Sequence, residues 1–94
     1  MPHVVSDKMD RHAYNYILEF SNDWYILSCK GDKHSFNNVK ELKVLMAKYK
    51  PLIGEEKVLM APEGETKYEK IKEVVDIIQE NGLSLTFITR EKLQ

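Results

Sequence analysis

The chain has one cysteine, Cys29, in 94 residues. That excludes an intramolecular disulfide and a cysteine-based zinc site. Glycine and proline are few, 4 and 3, and no segment repeats, so fibrous and low-complexity architectures are excluded. No apolar stretch approaches the ~18 residues that a membrane span requires. Met1 to Asp7 lack a basic segment followed by an apolar one, and a signal peptide is not expected. Neither sign of charge dominates: 14 Lys+Arg stand against 15 Asp+Glu, for a net charge of -1. A general nucleic-acid binder carries a basic excess or stripe, so nucleic acid is not an expected partner.

Hydrophobic residues make up 43% of the chain and charged residues 31%, the balance of a folded domain. The length suits a single domain. Residues 1–12 are polar around a lone Met9 and read as a tail or linker, leaving 13–94 as the domain.

Within the domain, aromatic and apolar residues alternate from Ala13 to Phe20, the period of a strand. Ser21-Asn22-Asp23 reads as a turn of Asx type, and Trp24 to Ser28 as the second arm of a hairpin. Lys30 to Lys33 turn the chain again, before a short candidate strand from His34 to Phe36. Asn38 and Glu41 stand in a capping-box arrangement. Val39, Leu42, Leu45, Met46 and Tyr49 then form one helical stripe, with Pro51 as its stop. Lys57 to Ala61 is a short apolar run suited to a central strand. Thr66 and Glu69 form a second capping box, followed by Tyr68, Ile71, Val74, Val75 and Ile78 on one side of a helix. Asn81-Gly82 is its end, with Gly82 at the left-handed position. Leu83 to Thr89 is the last strand.

The predicted order is β-β-α-β-α-β. Strands separated by helices imply parallel neighbours and right-handed crossovers. The expected fold class is α/β (α+β): a two-layer sandwich, one mixed sheet with two helices on one face.

Candidate chemistry is sparse. His3, His12 and His34 show no metal-ligand spacing, and no metal or cofactor is expected. Cys29 and His34 lack the orienting third group of a nucleophile–base pair. The loop from Ala61 to Lys67 follows a strand and opens a helix, but it holds one glycine and two acids where a phosphate cradle needs several glycines or a lysine. Tyr14, Tyr16, Phe20, Trp24 and Tyr25 crowd the hairpin without a basic cluster, a pattern of core or interface packing. The residues thus point to a binding or assembly module and not to an enzyme. With both helices on one face, the other face and the charge-free last strand are left for contacts. Ser84, Leu85, Thr86, Phe87, Ile88 and Thr89, together with Tyr14 and Tyr16, are the candidate interface of a homodimer.

The stretch Val58-Leu59-Met60-Ala61, the run from Tyr68 to Gly82, and Phe87-Ile88-Thr89-Arg90-Glu91 resemble the periplasmic domain of the ExbD/TolR family of biopolymer transporters. Tyr68, Val75, Asp76, Gln79, Gly82 and Thr89 match the family's scheme. Where the family has Ala-Asp, this chain has Ala61-Pro62. In this scheme Ala61, Tyr68, Asp76 and Gly82 are structural positions. The resemblance implies a periplasmic location, as the soluble part of a single-pass inner-membrane subunit of a complex driven by the proton gradient. Implied partners are a second copy, a ring-forming membrane subunit, and a TonB-like protein, a Tol-system protein or peptidoglycan. The alternative is a stand-alone cytosolic α/β regulatory or ligand-binding module.

Overall fold

A computed structural model of the chain describes residues 14–88. The tail 1–12, Ala13, Thr89 and the polar end lie outside the described residues.

Three strands open the described chain: β1 (Tyr16–Phe20), β2 (Tyr25–Cys29) and β3 (Asp32–Phe36). They are followed by α1 (Val39–Ile53), β4 (Lys57–Pro62), α2 (Tyr68–Glu80) and β5 (Ser84–Phe87). The sheet runs β3-β2-β1-β4-β5, with β1–β2 and β2–β3 antiparallel and β1–β4 and β4–β5 parallel. The α+β sandwich is therefore mixed, as its sequence order requires, but the order is β-β-β-α-β-α-β.

The added strand reflects a tighter turn than expected. Lys30 and Gly31 both take positive φ, 51° and 96°, the geometry of a two-residue primed hairpin. Asp32 and Lys33 are thereby released into β3, where Asp32 pairs with Cys29. The preceding hairpin closes through Ser21 N–H donating to Trp24 O at 2.9 Å. Asn22 makes no local Asx turn there. Its amide reaches across to the loop before α2, donating to Glu65 O and accepting from Lys67 N–H.

Both helices cover one face of the sheet. Tyr16, Leu18, Phe20, Tyr25, Leu27, Val58 and Met60 turn toward them and are buried with Leu42, Met46 and Ile53 of α1 and Val74, Ile77 and Ile78 of α2. On α1 the cap is as expected: Asn38 Oδ1 accepts from Glu41 N–H at 2.9 Å. Pro51, however, does not stop the helix, which runs on to Ile53. Pro51 has no N–H for the Ala47 carbonyl one turn back, and its ring crowds that carbonyl, a cost that the contacts made beyond it offset. Continuing the helix buries Ile53 and lets Leu52 O accept from the Tyr16 hydroxyl.

The start of α2 also departs from the reading. Thr66 does not cap it: its hydroxyl donates to Glu63 O at 2.6 Å, and Lys67 is the N-cap with no side-chain bond of its own. Tyr68 is 75% exposed, because the buried stripe is Val74, Ile77 and Ile78. That stripe is rotated away from the line through Tyr68. At the other end Gly82 has φ 72°, as expected.

A Cβ at Gly82 would meet nothing within 4 Å, so the cost of a side chain there is conformational alone. Gly82→Val should destabilise the domain by about 1 kcal/mol or more, because a β-branched residue tolerates positive φ poorly. In thermal unfolding this lowers Tm by roughly 4–8 °C, and Gly82→Asn should lose less. Equal Tm for all three proteins would show that the helix ends differently.

Candidate functional site

The candidate chemical residues are tied into structure. Cys29 ends β2 on the helix side and is 6% exposed. Burial, and the Asp32 carboxylate opposite it, push the thiol pKa above its ordinary 9.0, away from the thiolate a nucleophile requires. His34 is engaged elsewhere, its Nε2 lying 3.0 Å from the Tyr49 hydroxyl. Among the described residues no group of three or more His, Cys, Asp or Glu is placed to hold a metal ion.

The loop from Ala61 to Lys67 is locked to the first hairpin. Glu63 N–H donates to Phe20 O at 2.8 Å, and the Ser21 hydroxyl donates to the Glu63 carboxylate at 3.4 Å. Glu63 also accepts from Glu65 N–H, so this carboxylate occupies the space where an anion would sit. Beside the loop, Lys70 Nζ donates to the Tyr25 hydroxyl at 2.8 Å and to Glu73 at 3.1 Å. Burial works against the ammonium, but the bonds and charges of Tyr25 and Glu73 outweigh it and hold the Lys70 pKa above its ordinary range. This cluster clamps α2 to the sheet.

The hairpin aromatics do not form a stacking platform. Tyr16, Phe20 and Tyr25 are buried under the helices, with Tyr25 and Phe36 stacked at 5.1 Å between ring centres. Tyr16 thus lies away from the surface where an interface was expected. Tyr14 packs on the opposite face, against the cluster of Leu59, Ala61 and Ile88. Trp24 is partly exposed.

What remains are the two sheet edges. β5 pairs with β4 alone among the described residues. Its sequence, Ser-Leu-Thr-Phe, carries no charge. Ile88 N–H donates to Met60 O at 3.0 Å, so by alternation Thr86 also turns its main chain toward β4. Leu85 and Phe87 then point their N–H and C=O groups outward. Phe87 is 42% exposed, and Leu85 packs on the core. Of the remaining candidate interface residues, Ser84 is exposed, Thr86 half-buried and Ile88 buried, while Thr89 lies outside the described residues. Asp76 is exposed on α2, with Lys72 at 3.9 Å, and Ala61 is buried on the face away from the helices.

The other edge, β3, carries Asp32 and Lys33, the charges that commonly blunt an open strand. A groove beside it, bounded by α1, was not foreseen from the sequence. Its only sequence signal is Val44, an apolar residue off the buried stripe of its helix. Comparison with protein-family models and with curated proteins returns no match for this chain.

The burial of Cys29 has a direct consequence. At pH 8 a thiol reagent should label the native chain at least about tenfold more slowly than the chain in denaturant. Because the folded pKa is raised, the unfolded chain loses this proton first. Stability therefore falls as pH rises past about 9.0, and Cys29→Ala should flatten that decline. Equal labelling rates in the two states would place the thiol at the surface.

Proposed function

We propose that this domain acts by partner binding, as the periplasmic domain of an ExbD/TolR-like subunit of an energy-transducing complex. The observation that carries the reading is the outermost, charge-free position of β5. Such an edge offers main-chain donors and acceptors to a second copy or to an extended partner segment. The residues that resemble the family run through β4, α2 and β5, the part of the fold that ends at this edge. The arrangement of both helices on one face supports the same reading, since it leaves contacts to the sheet. In this role the domain does no chemistry of its own. It pairs with a second copy and couples a ring-forming membrane subunit to a TonB-like protein, a Tol-system protein or peptidoglycan.

Two measurements test the reading. The reading frame upstream of the Met1 codon should encode an apolar segment of about 20 residues bearing one Asp, long enough to span a bilayer. A stop codon in that frame without such a segment would overturn the family assignment. Phe87→Pro removes an outward donor while leaving the bonds to β4, and edge strands accept proline. It should raise the dimer dissociation constant about tenfold in sedimentation equilibrium, with the fold retained by circular dichroism. A wild-type chain that stays monomeric at millimolar concentration would refute pairing through this edge.

A further inference from the structure

Three observations meet on the helix-free face of the sheet, at the turn between β2 and β3. The first is alignment. Tyr16 and Leu18 are buried beneath the helices, so Ile17 between them faces the other way. Ile17 pairs with Ser28, and Ser28 pairs with Lys33. Directly paired residues share a face, so these three side chains form one row across β1, β2 and β3. Tyr14 packs on this face as well.

The second is shape and charge. A hollow of about 790 Å³ lies along this row, lined by Tyr14, Asn15, Ile17, Ser28, Lys30 and Lys33. Two lysines line it and no acidic residue does. Among the described residues the ion pairs are Lys70–Glu73 and Lys72–Asp76, and neither Lys30 nor Lys33 makes one. The neighbouring acids are otherwise engaged. Asp32 pairs with Cys29, and its carboxylate acts on that thiol, which is buried on the helix side. Glu56 accepts from the Asn15 amide at 2.9 Å, and Glu19, two residues beyond Ile17, has an interaction of its own.

The third is the turn. Lys30 takes φ 51°, at the first central position of a primed hairpin. That position favours Asn, Asp or Gly, and a lysine there gives up backbone stability. What a lysine adds in exchange is an ammonium beside the hollow.

We propose that this hollow binds a small organic phosphate monoester. Near neutral pH the phosphate carries close to two negative charges, which match Lys30 and Lys33. The Ser28 hydroxyl, next to Lys33 in the row, donates to a phosphate oxygen. The organic body lies against Tyr14 and Ile17. A monocarboxylate leaves one of the two ammonium groups uncompensated. β5 takes no part in this site, so the inference stands apart from the edge pairing proposed above.

The probe is phenyl phosphate, titrated into the full 94-residue chain and followed by amide resonances. Shifts should saturate and centre on Ser28, Lys30 and Lys33. Benzoate, which lacks the second charge, and inorganic phosphate, which lacks the ring, should each bind at least about tenfold more weakly. Affinity should fall from about pH 7 to about pH 5, as the phosphate takes up its second proton. Lys30→Asn keeps a residue suited to positive φ, so it should weaken binding about tenfold while Tm is unchanged or raised. Lys33→Thr, at an exposed strand position, should weaken it similarly with the fold retained by circular dichroism. Vesicles containing phosphatidic acid present the same monoester on a lipid. Sedimentation of the chain with them, lost in Lys30→Asn, assigns the site to a headgroup; saturable shifts without sedimentation assign it to a soluble ester. Binding of neither, equal affinity for benzoate, or undiminished affinity in both variants would overturn the proposal.

Discussion

Crossover handedness is the constraint on which this structure depends. From β3 the chain passes over β2 and β1 through α1 to reach β4, then through α2 to reach β5, stepping the same way across the sheet both times. Parallel crossovers are right-handed almost without exception, so two steps in one direction put both helices on one face. That choice sets the core. Leu18 and Phe20 on β1, the middle strand, are buried beneath helices, while their neighbour Ile17 faces the other side with Leu59 and Ala61. It also sets what is left over: one face without helices and two edges with different neighbours.

The edges differ because of what the chain does next. After β3 the two-residue link Asn37-Asn38 sends α1 back alongside the strand it has just left, so the β3 edge gains a helical wall and a groove. After β4 the chain places α2 before β5, and β5 forms the outer rim with an uncharged, four-residue strand. One edge carries a groove and charged residues, the other an uncharged strand. Shape and charge favour selection of a particular segment, whereas a flat neutral edge favours main-chain pairing with little regard to side chains.

Much of this was legible in the residues. Period two in Tyr16–Phe20 and the apolar stripe of Leu42 and Met46 are direct records of which side is buried, because burial is what selects those residue types. Gly82 was legible for the same local reason: positive φ selects glycine. The misreadings arose where a distant contact outweighed a local rule. Pro51 stays in its helix because Ile53 is buried against the sheet beyond it. Thr66 and Asn22 both have capping or turn chemistry, yet each spends its hydrogen bonds on the junction between the first hairpin and the loop before α2. The groove was least legible. It needs the outer edge of β3 and the side of α1 to lie together, and no periodicity in either segment records a surface that none of the described residues covers.

The near-zero net charge conceals the feature that most distinguishes the two edges. α1 carries four lysines and one glutamate, while α2 carries four acids and two lysines. The helical layer is thus basic on the helix that walls the β3 groove and acidic on the helix that packs beside β5. Fields from such clusters reach roughly 8–10 Å at physiological ionic strength, far enough to act on a strand docking at the neighbouring edge. The proposed pairing of two copies through β5 would bring two acidic helices toward one another, and salt would relieve that repulsion.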